Sequence, residues 1–229
     1  MKFEGEYKEG KKNGIAKCYS DKTGLLEFEG EFLYDMKFKG KEYVKGKLEF
    51  EGEFFNNEKY NGKGYDENGN ILYILNNGNG KRINYDSDGE KEFEGEYING
   101  KKNGKGKEYK YNKVKFEGEY LNDERNGKGK EYDFKGILIF VGEYLNGQRN
   151  GKGKKYDMDN NSVYEGEFLN ELRHGKGKYY VNGKLIFDGE YSNGEKHGKC
   201  KEYDENGKLI FKGKYSEGKI IKKDKCLIL

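Results

Sequence analysis

The chain of 229 residues has no proline and no tryptophan, two histidines and three cysteines, and only Arg82, Arg125, Arg149 and Arg173 among its 45 basic residues are arginine. Each shortage excludes something. Without proline, and without a strict triplet period, the 36 glycines are not those of a collagen. No stretch approaches the roughly 20 apolar residues of a membrane span, and Met1-Lys2-Phe3-Glu4-Gly5-Glu6 carries no apolar signal core. Hydrophobic residues make up 32% against 38% charged, with a mean hydropathy of −1.20. That is too little aliphatic stock for a conventional two-layer enzyme core. Basic and acidic residues nearly cancel, 45 against 42. With so little arginine for bidentate contacts, nucleic-acid binding is not expected. Cys18, Cys200 and Cys226 form an odd set without metal or disulfide spacing, so a reducing, cytosolic setting is expected.

Aromatic residues are abundant: 21 Tyr and 14 Phe, 15% of the chain. Disordered chains are poor in rings, and rings bury a large area each, so a thin, ring-based core is within reach. The rings recur in order. Aromatic-Glu-Gly-Glu-aromatic, or a close variant, is centred on Gly5, Gly30, Gly52, Gly95, Gly118, Gly142, Gly166, Gly189 and Gly213. Neighbouring centres lie 22 to 25 residues apart, except for one gap of 43 that holds a degenerate unit around 71–80. A second half follows each centre, complete at Asn103-Gly104-Lys105-Gly106-Lys107-Glu108-Tyr109. Turn-rich stretches such as Asn99-Gly100 and Asp204-Glu205-Asn206-Gly207 separate the halves and join the units. Two short alternating runs bracketed by turns are a hairpin signal, and no window has a sustained helical period. The expected fold is all-β: an elongated, twisted, single-layer array of about ten consecutive β-hairpins over 1–217, followed by a polybasic tail over 218–229.

If a hairpin closes between Gly100 and Lys101, Glu94 faces Lys107, Gly95 faces Gly106, Glu96 faces Lys105 and Tyr97 faces Gly104. The nine central glycines then serve as slots for aromatic rings, and the charged face neutralises itself strand by strand. Tyr109 falls out of phase with Gly104 and Gly106 and requires either a bulge or packing on the other face. The aromatic face of such an array is only partly covered, and its end strands are open edges, which curling or self-association would cover.

The aromatic-x-Gly-Glu-aromatic run followed by Asn-Gly-x-x-Asn/His-Gly-x-Gly resembles the MORN (membrane occupation and recognition nexus) repeat, here with Phe where many members carry Trp and with a longer, 23–24-residue unit. The resemblance runs from Phe3 to about Glu217. It implies a role in membrane–cytoskeleton organisation and contact with acidic phospholipids, and names no single function. Members fused to kinase or methyltransferase domains suggest a third role, the targeting fragment of an enzyme, for which this chain has no room.

No residue set points to catalysis, to a cofactor or to a metal. His174 and His197 occupy the slot that Asn13, Asn61, Asn103, Asn126 and Asn150 fill elsewhere; Asn and His both tolerate positive φ, so a turn accounts for them. Cys18 lies more than six units from the nearest histidine, which excludes a Cys-His pair within the chain. The lysine ladder from Lys105 to Lys178 faces glutamates and reads as a solvated mixed face.

The end of the sequence differs. Cys226-Leu227-Ile228-Leu229 fits the C-terminal prenylation signal, with Leu favouring geranylgeranyl, and would make the source eukaryotic. Lys219, Lys222, Lys223 and Lys225 supply the basic companion for an anionic leaflet. The expected role is a non-enzymatic scaffold or adaptor on the cytosolic face of a membrane, binding proteins or acidic lipids and further copies of itself. The alternative is a soluble protein-binding or partner-neutralising module with no anchor.

Overall fold

The computed structural model describes residues 2–224. Twenty strands follow one another with no helix among the described residues. They are β1 Lys2–Lys8, β2 Lys11–Tyr19, β3 Leu26–Leu33, β4 Met36–Val44, β5 Lys47–Phe55, β6 Glu58–Tyr65, β7 Ile71–Leu75 and β8 Gly80–Tyr85. Then come β9 Lys91–Ile98, β10 Lys101–Lys110, β11 Lys113–Leu121, β12 Glu124–Tyr132, β13 Leu138–Leu145 and β14 Gln148–Asp157. The last are β15 Ser162–Leu169, β16 Leu172–Val181, β17 Lys184–Ser192, β18 Glu195–Tyr203, β19 Leu209–Ser216 and β20 Lys219–Lys223. Strands β1–β7 form one antiparallel sheet and β8–β20 a second, each in simple chain order, and neither closes into a barrel. The all-β hairpin array expected from the repeat is the observed fold, and its strands continue past Glu217 into β20. The chain divides into two compact units, one holding β1–β10 and the other β11–β20.

Each hairpin turns on two residues with positive φ: Asn99 (53°) and Gly100 (78°) in β9/β10, Asn122 and Asp123 in β11/β12, Asn170 and Glu171 in β15/β16. Both central residues left-handed is the geometry that matches strand twist in a two-residue hairpin. It pairs Ile98 with Lys101 and Tyr97 with Lys102, so closure falls on Asn99-Gly100 and not between Gly100 and Lys101. The ladder then slips by two residues before Gly95 meets Gly106 and Glu94 meets Lys107. Glu96 and Tyr97 therefore do not face Lys105 and Gly104. A bulge takes up the surplus, and the Glu96 carboxylate turns into it and accepts the Lys105 N–H at 2.8 Å. Glu119 does the same for Lys128 (3.1 Å) and Glu143 for Lys152 (2.9 Å). The register assigned to the inside of a hairpin is found between hairpins: Gly127 faces Tyr144, Lys128 faces Glu143 and Gly129 faces Gly142.

Hairpins are also tied along their turns. The Asp123 N–H donates to the Lys102 carbonyl and its carboxylate accepts the Lys102 N–H. Glu171 and Arg149 repeat this pair, as do Asp35 and Lys12. The Asn-slot side chains join in, Asn61 Oδ1 accepting from Asn77 N (2.6 Å) and Asn79 Oδ1 from Asn99 N (2.8 Å). Positive φ belongs to the following glycines, such as Gly104 at 96°, and not to the Asn or His residues themselves. The slot favours a side chain that reaches the next turn.

The core is a file of rings. Phe28, Phe50, Phe93, Phe116, Phe140 and Phe187 are fully buried, so this face is covered and not half open. Three contacts explain how one layer does it. Each Phe lies over the central slots of its own hairpin, a glycine pair for all but Phe187, which lies over Gly189 and Cys200: a Cβ on Gly142 would stand 2.7 Å from both Gly153 Cα and Phe140 Cζ. Edge-on contacts join rings within and between hairpins, as Phe140 meets Tyr144 at 5.5 Å and Phe168 at 5.2 Å, while Phe50 stacks on Tyr73. A cation closes the top: Arg125 over Phe116 (4.1 Å), Arg149 over Phe140 (4.7 Å), Lys196 over Phe187 (4.8 Å) and Lys12 over Phe3 (4.6 Å).

Candidate binding surfaces

Alternation along each strand puts the rings and glycines on one face and the Glu and Lys residues on the other. On the charged face Lys130 pairs with Glu117 (3.2 Å), Lys154 with Glu165 (3.1 Å) and Lys17 with Glu29 (3.8 Å). The out-of-phase tyrosines follow a second bulge, as between Glu131 and Tyr132. That bulge turns them onto the charged face, where Tyr43 donates to Glu29 (2.6 Å), Tyr109 to Glu94 (2.5 Å) and Tyr132 to Glu117 (2.8 Å). Burial and the carboxylate hydrogen bond push Tyr43 and Tyr132 up to about 12.

The ring face carries an ionic lid that sequence reasoning missed. Arg149 and Arg125 both bond to Glu131, Lys196 pairs with Glu202 (2.5 Å), and Lys37 and Lys59 converge on Glu42. Burial works to raise the Glu131 carboxyl, but the hydrogen bond and charge of Arg149, with Arg125, outweigh it and hold it below the ordinary carboxylate range. Glu42 is held low in the same way by Lys59 and Lys37. The signal was a basic residue two positions after eight of the ten hairpin turns (Lys12, Lys37, Lys59, Lys102, Arg125, Arg149, Arg173, Lys196), a fixed position in the repeat.

The degenerate unit is where the sheet divides. Leu75 and Arg82 stand where other hairpins carry their glycine pair, and both are buried. Leu75 still faces Gly62 across β6–β7, and Arg82 faces Gly95 across β8–β9. Between β7 and β8 only an Asn76–Asn79 bridge remains. Arg82 turns to the Tyr97 ring (4.2 Å) and Glu58 (2.7 Å). Beside this break a cleft of about 450 Å³ is lined by Lys37, Glu42, Tyr43, Glu49, Lys59 and Tyr85. The buried Glu49 carboxylate is met by Lys59 and by the Tyr73 hydroxyl at 2.6 Å. The pairs Lys22–Asp88 (2.5 Å) and Lys45–Glu90 (2.7 Å) bridge exposed residues above it.

Of the nine repeat glycines, Gly30, Gly52, Gly95, Gly142 and Gly166 face a second glycine across their hairpin, and Gly118 lies against Gly129. Gly5 faces Ala16, Gly189 faces Cys200 and Gly213 faces Lys223. Cys18 and Cys200 are buried; burial pushes the Cys18 thiol up and carries Cys200 to about 11, which leaves neither with thiolate character at neutral pH. His174 pairs in register with Glu167, and its buried Nδ1 has no partner among the described residues. Lys219, Lys222 and Lys223 are exposed on β20, whereas Lys225 and Cys226 lie outside the described residues.

No curated protein matched the sequence. The family model for the MORN repeat matches residues 3–23, 93–113, 116–136, 140–162, 164–184 and 187–208, more than half of the chain. With the hairpin repeat seen in the structure, this chain belongs to the MORN repeat family.

Proposed function

We propose that the chain is a scaffold without a catalytic step, held on the cytosolic face of a membrane through a prenylated Cys226. Lys219, Lys222, Lys223 and Lys225 meet anionic headgroups, and the hairpin array is left to protein partners. At the coarser level an all-β MORN repeat protein is a repeat scaffold or binding module. The observation that carries the anchor is the run of exposed lysines on β20 leading into Cys-Leu-Ile-Leu. One lipid with a basic patch is the combination that holds stably, each lysine near the leaflet adding about 1 kcal/mol. The test is an intact mass of the protein from its own cells, with membrane recovery of Cys226→Ser. One added isoprenoid and loss of the last three residues is the expected result, with the serine variant released to the soluble fraction. An unmodified mass, or unchanged recovery of the variant, removes the anchor.

A soluble module is the second reading, favoured by Ile220 and Ile221 exposed on the end strand β20. Edge pairing between copies would cover them, giving bacterially made protein a solution mass well above 26.6 kDa.

A further inference from the structure

The ladder that neutralises the charged face breaks at one place. In every other complete hairpin the first strand carries at least one carboxylate beside its central glycine, as at Glu117 and Glu119 or Asp188 and Glu190; β19 has Lys212 and Lys214. The pairing keeps its register, so the lysines face lysines: Lys199 opposes Lys214 and Lys201 opposes Lys212 across β18–β19, and Lys214 opposes Lys222 across β19–β20. Like charges directly opposite one another destabilise a sheet. Lys214 also cannot accept the bulge N–H that Glu96 or Glu143 accepts. Among the described residues none of these five lysines has a carboxylate at ion-pair distance.

A groove of about 590 Å³ lies over them. It is lined by six lysines, these five and Lys176, against three carboxylates, Asp188, Glu190 and Asp224. Cross-strand neighbours lie about 5 Å apart and alternate residues along a strand about 7 Å. Five ammonium groups thus share an area that one compact ligand with several phosphates spans, each acting as a point-charge donor.

We propose that the charged face of β18–β20 is a binding site for a compact ligand bearing two or more phosphate groups, with Lys199, Lys201, Lys212, Lys214 and Lys222 as its donors. The ligand supplies the negative charge that glutamates supply in the other hairpins. The site does not depend on Cys226, so unlipidated full-length protein tests it alone.

Two probes distinguish a soluble source from a lipid headgroup: inorganic tripolyphosphate by calorimetry, and phosphatidylcholine vesicles with and without phosphatidylinositol bisphosphate by sedimentation. Lys212→Glu/Lys214→Glu restores the pattern of the other hairpins and is the substitution least able to harm the fold. It should weaken saturable binding more than about tenfold and raise the melting temperature of the unliganded protein. Lys8→Glu/Lys11→Glu, an equal charge change at the first turn, should leave binding nearly unchanged. Tripolyphosphate binding alone assigns a soluble ligand, and vesicle binding alone assigns a headgroup. The proposal is overturned if neither probe binds saturably, or if the two double variants weaken binding alike.

Discussion

Hairpin β13/β14 and hairpin β7/β8 occupy equivalent places in the repeat, and the difference that bears on closure lies in their two central slots. In β13/β14 Gly142 faces Gly153, and the strands approach until no Cβ would fit between the backbones and the Phe140 ring. In β7/β8 the same slots hold Leu75 and Arg82, and one bridge survives. The turn is not the cause, since Asn77 and Gly78 have the same left-handed pair of φ values as Asn99 and Gly100. Turn chemistry starts every hairpin, but closure into one sheet follows the central slots: every hairpin that closes keeps at least one glycine there, facing Ala16, Cys200 or Lys223 in three cases, and β7/β8 keeps none.

The largest effect should come from carrying the degenerate feature into a regular hairpin. Gly142→Leu places a branched side chain against Gly153 Cα and Phe140, and overpacking of this kind costs about 3 kcal/mol. Hydrogen exchange should show β13 and β14 losing protection first; uniform protection would mean the glycines are dispensable. The reverse change, Leu75→Gly with Arg82→Gly, should let β7 and β8 pair. A nuclear Overhauser contact between residues 75 and 82 would report it, and its absence would place the cause of the division elsewhere.

Acid provides a gentler contrast. The folded Glu131 carboxyl titrates below its ordinary 4.5. Its contribution to stability is therefore present above that value and lost as pH falls through the lower, folded pKa. Glu131→Gln should flatten the loss of stability below about pH 4.5 in acid unfolding followed by circular dichroism, and an unchanged profile would show the ionic lid to be passive. The smallest effect is expected at the mouth of the cleft. Lys22 and Asp88 are both largely exposed, so Asp88→Ala should barely move the urea-unfolding midpoint at low salt and move it still less at high salt.

Much of this was legible because the repeat shows the same rule many times. The period of the glycines, the two-residue turns and the alternation of rings with charges led to hairpins, and the family match rests on those residues. The register inside a hairpin was not legible. Counting residues cannot show that Asn99-Gly100 takes the whole turn and that the surplus goes into a bulge capped by Glu96. The ionic lid was missed because Arg149 reaches Glu131 from the next hairpin, and it, Arg125 and Glu131 look like ordinary surface charges in a chain that is 38% charged.

The sequence by itself determined the unit, its number of copies and the place where it degenerates. Those are local: turn residues, period-two alternation and glycine spacing act within about two dozen residues. Tertiary structure decided how a single layer hides its rings, where the sheet divides, and which lysines lose their partners. Burial of a ring draws on rings of neighbouring hairpins and a cation above it, and strand closure goes with at least one glycine in the central slots. The charge of Lys214 matters only because the register sets Lys199 and Lys222 on either side of it.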